Sequence, residues 1–288
     1  MKTFNLKNKK KEYAPLVSVA LTTSKSERFI RIQMDSILNQ TYKNLEVCVS
    51  HDECGDSTVD ILNDYVTKDT RVKWKYNTLE KGFRKNTEHA ISMCTGDIIF
   101  LCDHDDVWYE DRVQMHVDAY RDQSVDWVYN RTDLIDAEGN KIGYLEDEIP
   151  DYYTKERMSL LNYAWGSCIG AAETSFRTDV LRSAMPIPSY VPGHDSWIEL
   201  AIYPKKSVYI EEVLQGYRQH SNNEVGWAKK MTPEEFKEKE QQAIRENMIY
   251  LKRLYGNQTL SYWKRFFFFC AYWAKIVRAK IKSDKRGI

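Results

Sequence analysis

Short β-rich runs alternate with segments of helical periodicity through the first hundred residues, and this alternation leaves few folds open. Val17 to Leu21 and Leu45 to Val49 are such runs, and between them Phe29, Ile30, Met34, Ile37 and Leu38 recur at the spacing of one helix face. The same reading predicts a helix over about 58–65, a strand over 72–76, a helix over 86–93 and a strand over 98–102. Strand, helix, strand in this order implies an α/β fold, a mostly parallel sheet covered by helices. Farther along, 127–131 reads as a strand, 136–140 as a turn between strands, and 159–164 as the start of a short helix. The stretch from Pro233 to Tyr255 is strongly helical and highly charged, and a basic, aromatic segment follows from Tyr262 to Lys282.

In open sheets of this kind ligands bind in the crevice beyond the carboxyl ends of the strands. The residues there are Thr22-Thr23, His51-Asp52-Glu53 and Asp103-His104-Asp105-Asp106. The last group belongs to FLCDHDDVW, residues 100–108, in which an apolar strand runs into three carboxylates. Unpaired negative charge at a sheet edge costs free energy unless a cation or ligand compensates it. A hard divalent cation, Mg²⁺ or Mn²⁺, prefers carboxylate oxygens and keeps positions open for phosphates. The spacing alone equally allows a solvated acidic turn that caps a following helix near Tyr109.

Composition narrows the partners. Lysine plus arginine and aspartate plus glutamate both number 42, so bulk charge gives no argument for nucleic acid. The cysteines at 48, 54, 94, 102, 168 and 270 form no C-x-x-C pair and sit mostly in apolar runs, which fits reduced thiols in a cytosol. The basic start, MKTFNLKNKKKEYAP, is followed by no apolar stretch of signal-peptide length, so the protein is expected to stay in the cytoplasm. The longest apolar run, Phe266 to Ala274, is far short of the roughly 20 residues of a spanning helix.

Read in order, SVALTTSKSERFIRIQMDSILNQTYKNLEVCVSHDECGDST, then KGFRKN, then FLCDHDDVW resemble the nucleotide-binding half of family 2 glycosyltransferases, which have the glycosyltransferase-A fold. The subgroup most resembled holds rhamnosyltransferase-like enzymes of bacterial surface-polysaccharide assembly, whose acidic motif commonly reads D-Q-D-D-x-W. The resemblance covers roughly residues 16–227. It implies a Rossmann-like catalytic domain over 14–230, after a basic tail over 1–13 and before a helical C-terminal segment over 231–288.

The resemblance also implies roles. Thr23 and Asp52 would lie against the nucleotide, with Asp52 accepting from a pyrimidine ring N–H. His51 stands where the family has an Asp, and Glu53-Cys54 replaces a common Gly-Ser. Arg84 and Asn86 of KGFRKN match positions near the donor, where Arg84 could pair with a phosphate and Asn86 could instead cap the next helix. Asp105 would coordinate the metal, with Asp103 on the ribose or in the metal shell and Asp106 supporting both. Trp108 reads as core ahead of a sugar platform. In GHDSW, residues 193–197, Asp195 would be the general base of an inverting transfer, the alternative being a helix N-cap. In YRQHSNNEVG, residues 217–226, His220 would complete the metal shell.

The expectation is a transferase that moves rhamnose first, a hexose second, from a dTDP- or UDP-linked donor to a glycan or lipid-linked acceptor. A sugar-nucleotide nucleotidyltransferase is the rival with the same strand-end site, but TTSKSERF lacks the glycines of a triphosphate loop. A catalytically silent subunit of the same fold is the other rival, and intact Asp103, Asp105 and Asp195 argue against it. On a helix, Trp263, Phe266, Phe267, Cys270, Trp273, Val277 and Ile281 share a face bordered by Lys264, Lys275, Arg278 and Lys282. That face over 262–282 is expected to meet the inner membrane surface or else a protein surface such as a homodimer partner.

Overall fold

A computed structural model describes residues 13–148, 169–189, 191, 193–220, 251–252, 256 and 261–284. Nine strands form one sheet: β1 Val17–Thr23, β2 Leu45–His51, β3 Val72–Tyr76, β4 Ile98–Cys102, β5 Val107–Trp108, β6 Trp127–Ile135, β7 Lys141–Tyr144, β8 Thr174–Arg177 and β9 Ser207–Arg218. The helices are α1 Ile30–Leu38, α2 Thr58–Lys68, α3 Phe83–Met93, α4 Arg112–Ala119, α5 Thr178–Arg182, α6 His194–Ile202 and α7 Tyr262–Asp284.

The order across the sheet is β3-β2-β1-β4-β8-β6-β9-β5, with β7 beside β6. Strands β3, β2, β1 and β4 are parallel, as the alternation with α1, α2 and α3 requires. Beyond β4 the sheet becomes mixed: β8 runs antiparallel to both β4 and β6, and β9 runs parallel to β6. The last pairing, of β5 with β9, is antiparallel and joins residues 107–108 to 215–216.

Both faces of the sheet are covered, which is why its strands read as apolar runs rather than alternating ones. On one face Val17, Val19 and Leu21 of β1 pack with Ile30, Met34 and Ile37 of α1, Leu62 of α2 and Val113 and Val117 of α4. On the other face Ala20 and Cys48 pack with Ala90 and Ile91 of α3, Leu181 of α5 and Trp197 and Ile198 of α6. Trp108 is buried against Phe100 and belongs to the first of these cores. The described cysteines are free thiols.

Several boundaries differ from the sequence reading. Helix α3 starts three residues early, at Phe83, because Gly82 at its N-cap has φ +121, a backbone state that side-chain-bearing residues rarely adopt. Strand β6 continues to Ile135, and the segment expected to lead into a helix at Tyr109 first pairs as β5. The helix expected over 159–164 lies outside the described residues, as does all of 233–255 except the helical Leu251 and Lys252.

The far end of the sheet, away from the strand carboxyl ends, is closed by one carboxylate. Glu46 accepts from Ser18 Oγ at 2.6 Å, from the Thr95 N–H at 2.7 Å and from Lys73 Nζ at 2.8 Å. Gly96 sits so close that an added Cβ would meet the Leu16 carbonyl oxygen at 2.5 Å and Ser18 Oγ at 2.8 Å. Burial alone would raise the Glu46 carboxyl, but the bonds from Lys73, Ser18 and Thr95 outweigh it and hold it down to about 2. Its contribution to stability is therefore complete above the ordinary glutamate value and lost as pH falls toward about 2. Glu46→Gln should lower the stability of the protein at pH 7, and the gap to wild type in denaturant unfolding should narrow as pH is lowered from 5 toward 3. A gap independent of pH would show that the charge of Glu46 contributes nothing.

Candidate functional site

The acidic motif leaves β4 at Cys102 and turns into β5, with Asp105 and Asp106 buried and Asp103 partly buried. Burial raises the Asp106 carboxyl well above its ordinary value, and the charges of Asp105 and Asp103 raise it further. Asp103 is raised in the same way, first by burial and then by Asp105. His194 and His104 counter that shift and Asp195 adds to it, which places α6 within electrostatic reach of the motif. Oδ2 of Asp106 is buried without a hydrogen-bond partner. This much negative charge in a dry corner calls for a positive one.

Strand β9 supplies it. Because β5 pairs with β9, the residues that follow Gly216 run back past the motif. Arg218 donates from Nε to the Asp105 carbonyl at 2.7 Å and from Nη1 to the carbonyls of Asp136 and Ala137 at 3.1 and 2.9 Å. Its own N–H donates to Asp106 Oδ1 at 3.1 Å. Burial lowers the affinity of Arg218 for its proton, and Asp106 and Asp105 restore part of it. Two residues on, His220 Nε2 stands 2.8 Å from Asp105 Oδ2. Phe29 walls both groups, 4.8 Å from the His220 ring and 4.9 Å from the Arg218 guanidinium.

Arg112 approaches from beneath. It is fully buried, lies 4.2 Å over the Trp108 ring, and has Nε and Nη1 without partners in the protein. Burial brings its pKa down to about 10, and the neighbouring Cys102, Asp106 and Glu173 oppose that shift.

The residues expected around a nucleotide gather at the ends of β1 and β2. Thr23 is buried, and its hydroxyl meets His51 Nδ1 at 3.0 Å. Its carbonyl accepts from the Asp52 N–H at 2.9 Å and from Asn86 Nδ2 at 3.2 Å, so Asn86 ties α3 to β1. Asn86 Oδ1 is buried and without a partner. Asp52 uses both carboxylate oxygens within the protein: Oδ1 accepts from Asn77 Nδ2 at 2.7 Å and Oδ2 from the Gly82 N–H at 2.8 Å. Its remaining lone pairs are what a ring N–H could still use. Arg84 Nη1 donates to the Val191 carbonyl at 2.9 Å, linking α3 to the loop before α6.

Asp195 is the second residue of α6, with Gly193 rather than Asp195 at the N-cap. Its carboxylate accepts from the Ser196 N–H at 2.7 Å, and it folds back over Gly193 so closely that a Cβ there would collide with it. The neighbouring His194 packs against Phe83 at 5.7 Å, and its Nδ1 is buried without a partner.

The structure thus pairs Asp105 with His220, keeps Asp103 within electrostatic reach of both Asp105 and Asp195, and sets Thr23, Asp52 and Asn86 at the neighbouring strand ends. Asn77 and Arg112 escaped the sequence reading, whereas His194 lies inside the GHDSW stretch that it singled out. Only a strand-to-loop contact brings Asn77 to Asp52, and nothing in the local pattern marks it. Arg112 follows the acidic motif by four residues, and that adjacency is the signal that could have found it.

The donor set can be tested against a divalent cation. Among the described residues no three His, Cys, Asp or Glu side chains converge into a complete metal cage. Asp105 and His220 form a two-ligand arrangement with Asp103 beside it, and hard cations bound with nucleotides commonly take one or two protein ligands and fill the rest with phosphate oxygens and water. The residues fit such an ion.

Residues 18–182 match the family described as Glycosyl transferase family 2. The chain belongs to this family. Chondroitin synthase of Escherichia coli is 34% identical over 129 residues, 44% of this family 2 chain and 19% of that protein. The Escherichia coli UDP-Glc:alpha-D-GlcNAc-diphosphoundecaprenol beta-1,3-glucosyltransferase WfgD is 27% identical over 42% of this chain and 47% of that protein. The chain therefore spans less than half the length of either relative. Among solved structures, residues 1–349 of S. aureus TarS in complex with UDP-GlcNAc superpose with a TM-score of 0.62 at 17% identity, covering 90% of this chain and 72% of that one. The mannosyltransferase PcManGT from Pyrobaculum calidifontis, in complex with GDP-Man and Mn²⁺, gives 0.59 at 19% identity, covering 84% and 73%. These likenesses confirm the glycosyltransferase-A architecture.

Arg218 bonds three backbone carbonyls that otherwise have no common anchor. Arg218→Lys keeps the charge but cannot reproduce the fork. It should destabilise the protein by on the order of 2 kcal/mol in denaturant unfolding, whereas an unchanged midpoint would show that the fork is dispensable.

Proposed function

We propose that the protein is an inverting, metal-dependent glycosyltransferase that moves a sugar from a nucleotide diphosphate to an acceptor hydroxyl. The pairing of Asp105 with His220 across 115 positions of sequence, with Asp195 in electrostatic reach of the same motif, carries this reading. Asp105 and His220, with Asp103 beside them, would hold Mg²⁺ or Mn²⁺. When bound, the cation offsets the charge of the departing diphosphate.

The chain's own residues then divide the work. Thr23, Asp52 and Asn86 shape the floor on which the nucleotide lies, and Arg84 stands at its edge toward α6. Asp195 takes the proton of the acceptor hydroxyl as that oxygen bonds the anomeric carbon. The bond from that carbon to the diphosphate oxygen breaks on the opposite face, so the anomeric centre inverts. A carboxylate in the first turn of a helix beside the acidic motif is a group that can accept the acceptor proton.

The donor we favour is a UDP-linked hexose, ahead of dTDP-rhamnose. The names of WfgD and of the TarS complex both carry UDP-sugars, and none of the relatives described above is a rhamnosyltransferase. The engagement of Asp52 by Asn77 and Gly82 orients its carboxylate for a pyrimidine N–H. The acceptor is a glycan or a lipid-linked sugar in surface-polysaccharide assembly, a class supported by the diphosphoundecaprenol acceptor in the name of WfgD. The enzyme would work at the inner face of the cell membrane.

Two substitutions separate the roles. Asp105→Asn should abolish turnover and remove the Mn²⁺ dependence of UDP binding in a thermal-shift assay, since an amide is a poor ligand for a hard cation. Persisting activity in excess chelator would overturn the metal assignment. Asp195→Asn should retain UDP binding and lower kcat by roughly 10²-fold to 10⁴-fold. If UDP binding disappears with it, Asp195 is a structural residue and another group is the base.

A further inference from the structure

The apolar surface of this protein is unevenly distributed. Among the described residues outside α7 the exposed large apolar side chains are Ile32, Val66, Tyr76, Leu79, Phe83 and Ile142, a scatter over several elements that is ordinary for a globular surface. On α7 five aromatic residues are exposed together: Tyr262 at 72%, Trp263 at 75%, Phe266 at 48%, Phe269 at 43% and Trp273 at 49%. Tyr262, Phe266, Phe269 and Trp273 follow the i, i+4, i+7, i+11 rhythm of one helix face, and exposed Cys270 lies among them. The sequence reading placed Phe267 on this face. The structure instead leaves Phe267 partly buried and puts Tyr262 and Phe269 in the stripe.

The helix is anchored by its other side. Phe268 is fully buried and meets the Tyr203 ring edge-on at 6.0 Å, and the Lys264 ammonium lies 5.6 Å over the same ring. Tyr203 directly follows α6, whose first turn carries Asp195. At the usual helical rise the nine residues of α6 span roughly 13 Å.

Charge identifies what covers the stripe. Helix α7 contains Lys264, Arg265, Lys275, Arg278, Lys280 and Lys282 against Asp284 alone, in a chain whose formal charge is zero. Exposed aromatics on a strongly basic helix suit the boundary between anionic headgroups and acyl chains. A second copy of the chain would bring an equally basic helix against this one, which opposes pairing. No helix among the described residues is long and apolar enough to cross a membrane, so α7 would lie on the surface.

We propose that α7 docks on an anionic lipid surface through Tyr262, Trp263, Phe266, Phe269 and Trp273. The Phe268–Tyr203 contact ties α7 to the C-terminal end of α6, the helix whose first turn carries Asp195. The docking stands on α7 alone; its use for a lipid-anchored acceptor rests on the glycosyltransferase reading.

Flotation of the full chain with vesicles tests the docking. The wild type should float with phosphatidylglycerol–phosphatidylcholine vesicles at low salt, and far less with phosphatidylcholine alone. The triple variant Trp263→Ser, Phe266→Ser, Trp273→Ser removes only exposed side chains and should partition at least about tenfold more weakly, with its melting temperature and UDP thermal shift unchanged. Wild-type protein that stays in the soluble fraction at low salt overturns the proposal, as does a triple variant that floats equally well. It is overturned too by sedimentation that finds a wild-type dimer converted to monomer by the three substitutions, because the stripe is then a copy-to-copy interface. Failure of UDP to raise the wild-type melting temperature counts against the donor site, and flotation then still decides the docking.

Discussion

Three carboxylates at the end of a buried strand govern the design of this protein. Asp103, Asp105 and Asp106 follow β4 within four residues, and Asp105 and Asp106 are as buried as the strand that leads to them. Burial, and after it their mutual repulsion, raises both Asp103 and Asp106 above the ordinary range. A cluster of this kind persists only when the surrounding structure supplies compensation. Arg218, Arg112 and the backbone N–H of Arg218 provide it from within the chain, and His220 adds a contact to Asp105.

The mixed sheet follows from this need. A purely parallel arrangement of β3, β2, β1 and β4 would end in a bare acidic edge. Antiparallel β8 extends the sheet past β4, β6 pairs with β8, and the twelve-residue β9 runs along β6 until it can pair with β5. That last pairing, only two residues long on the β5 side, delivers Arg218 and His220 to the acidic turn. On the other side of the sheet α6 carries Asp195 at its first turn and hands the chain to Tyr203, where α7 is anchored. Thus β9 brings compensation for the charge of the acidic turn, and α6 brings Asp195 within electrostatic reach of it.

The elements most legible from the residues were those made by local periodicity. Helices α1, α2 and α3 and strands β1 to β4 lie where the spacing of Ile30, Met34 and Ile37 and the runs at 17–21, 45–49, 72–76 and 98–102 put them. The strand-end groups at Thr23, Asp52 and Asp103 to Asp106 were legible for the same reason, since a strand's end is visible where its apolar run stops. Strand β5 was not. Two residues have no period, and Val107 and Trp108 become a strand only because Gly216 and Gln215 arrive beside them. The run of four phenylalanines from 266 to 269 shows the same limit: Phe268 is fully buried and Phe266 is half exposed, and only the position of Tyr203 distinguishes them.

By itself the sequence determined the α/β class, the parallel half of the sheet and the acidic turn, because these depend on periods of two and 3.6 residues and on an abrupt change from apolar to charged. Tertiary structure alone decided which groups meet the acidic turn, how Asp52 is held by Asn77 and Gly82, and which side of α7 is left in water. These are contacts between residues distant along the chain, and their geometry is set by the packing of the whole sheet, so no local pattern encodes them.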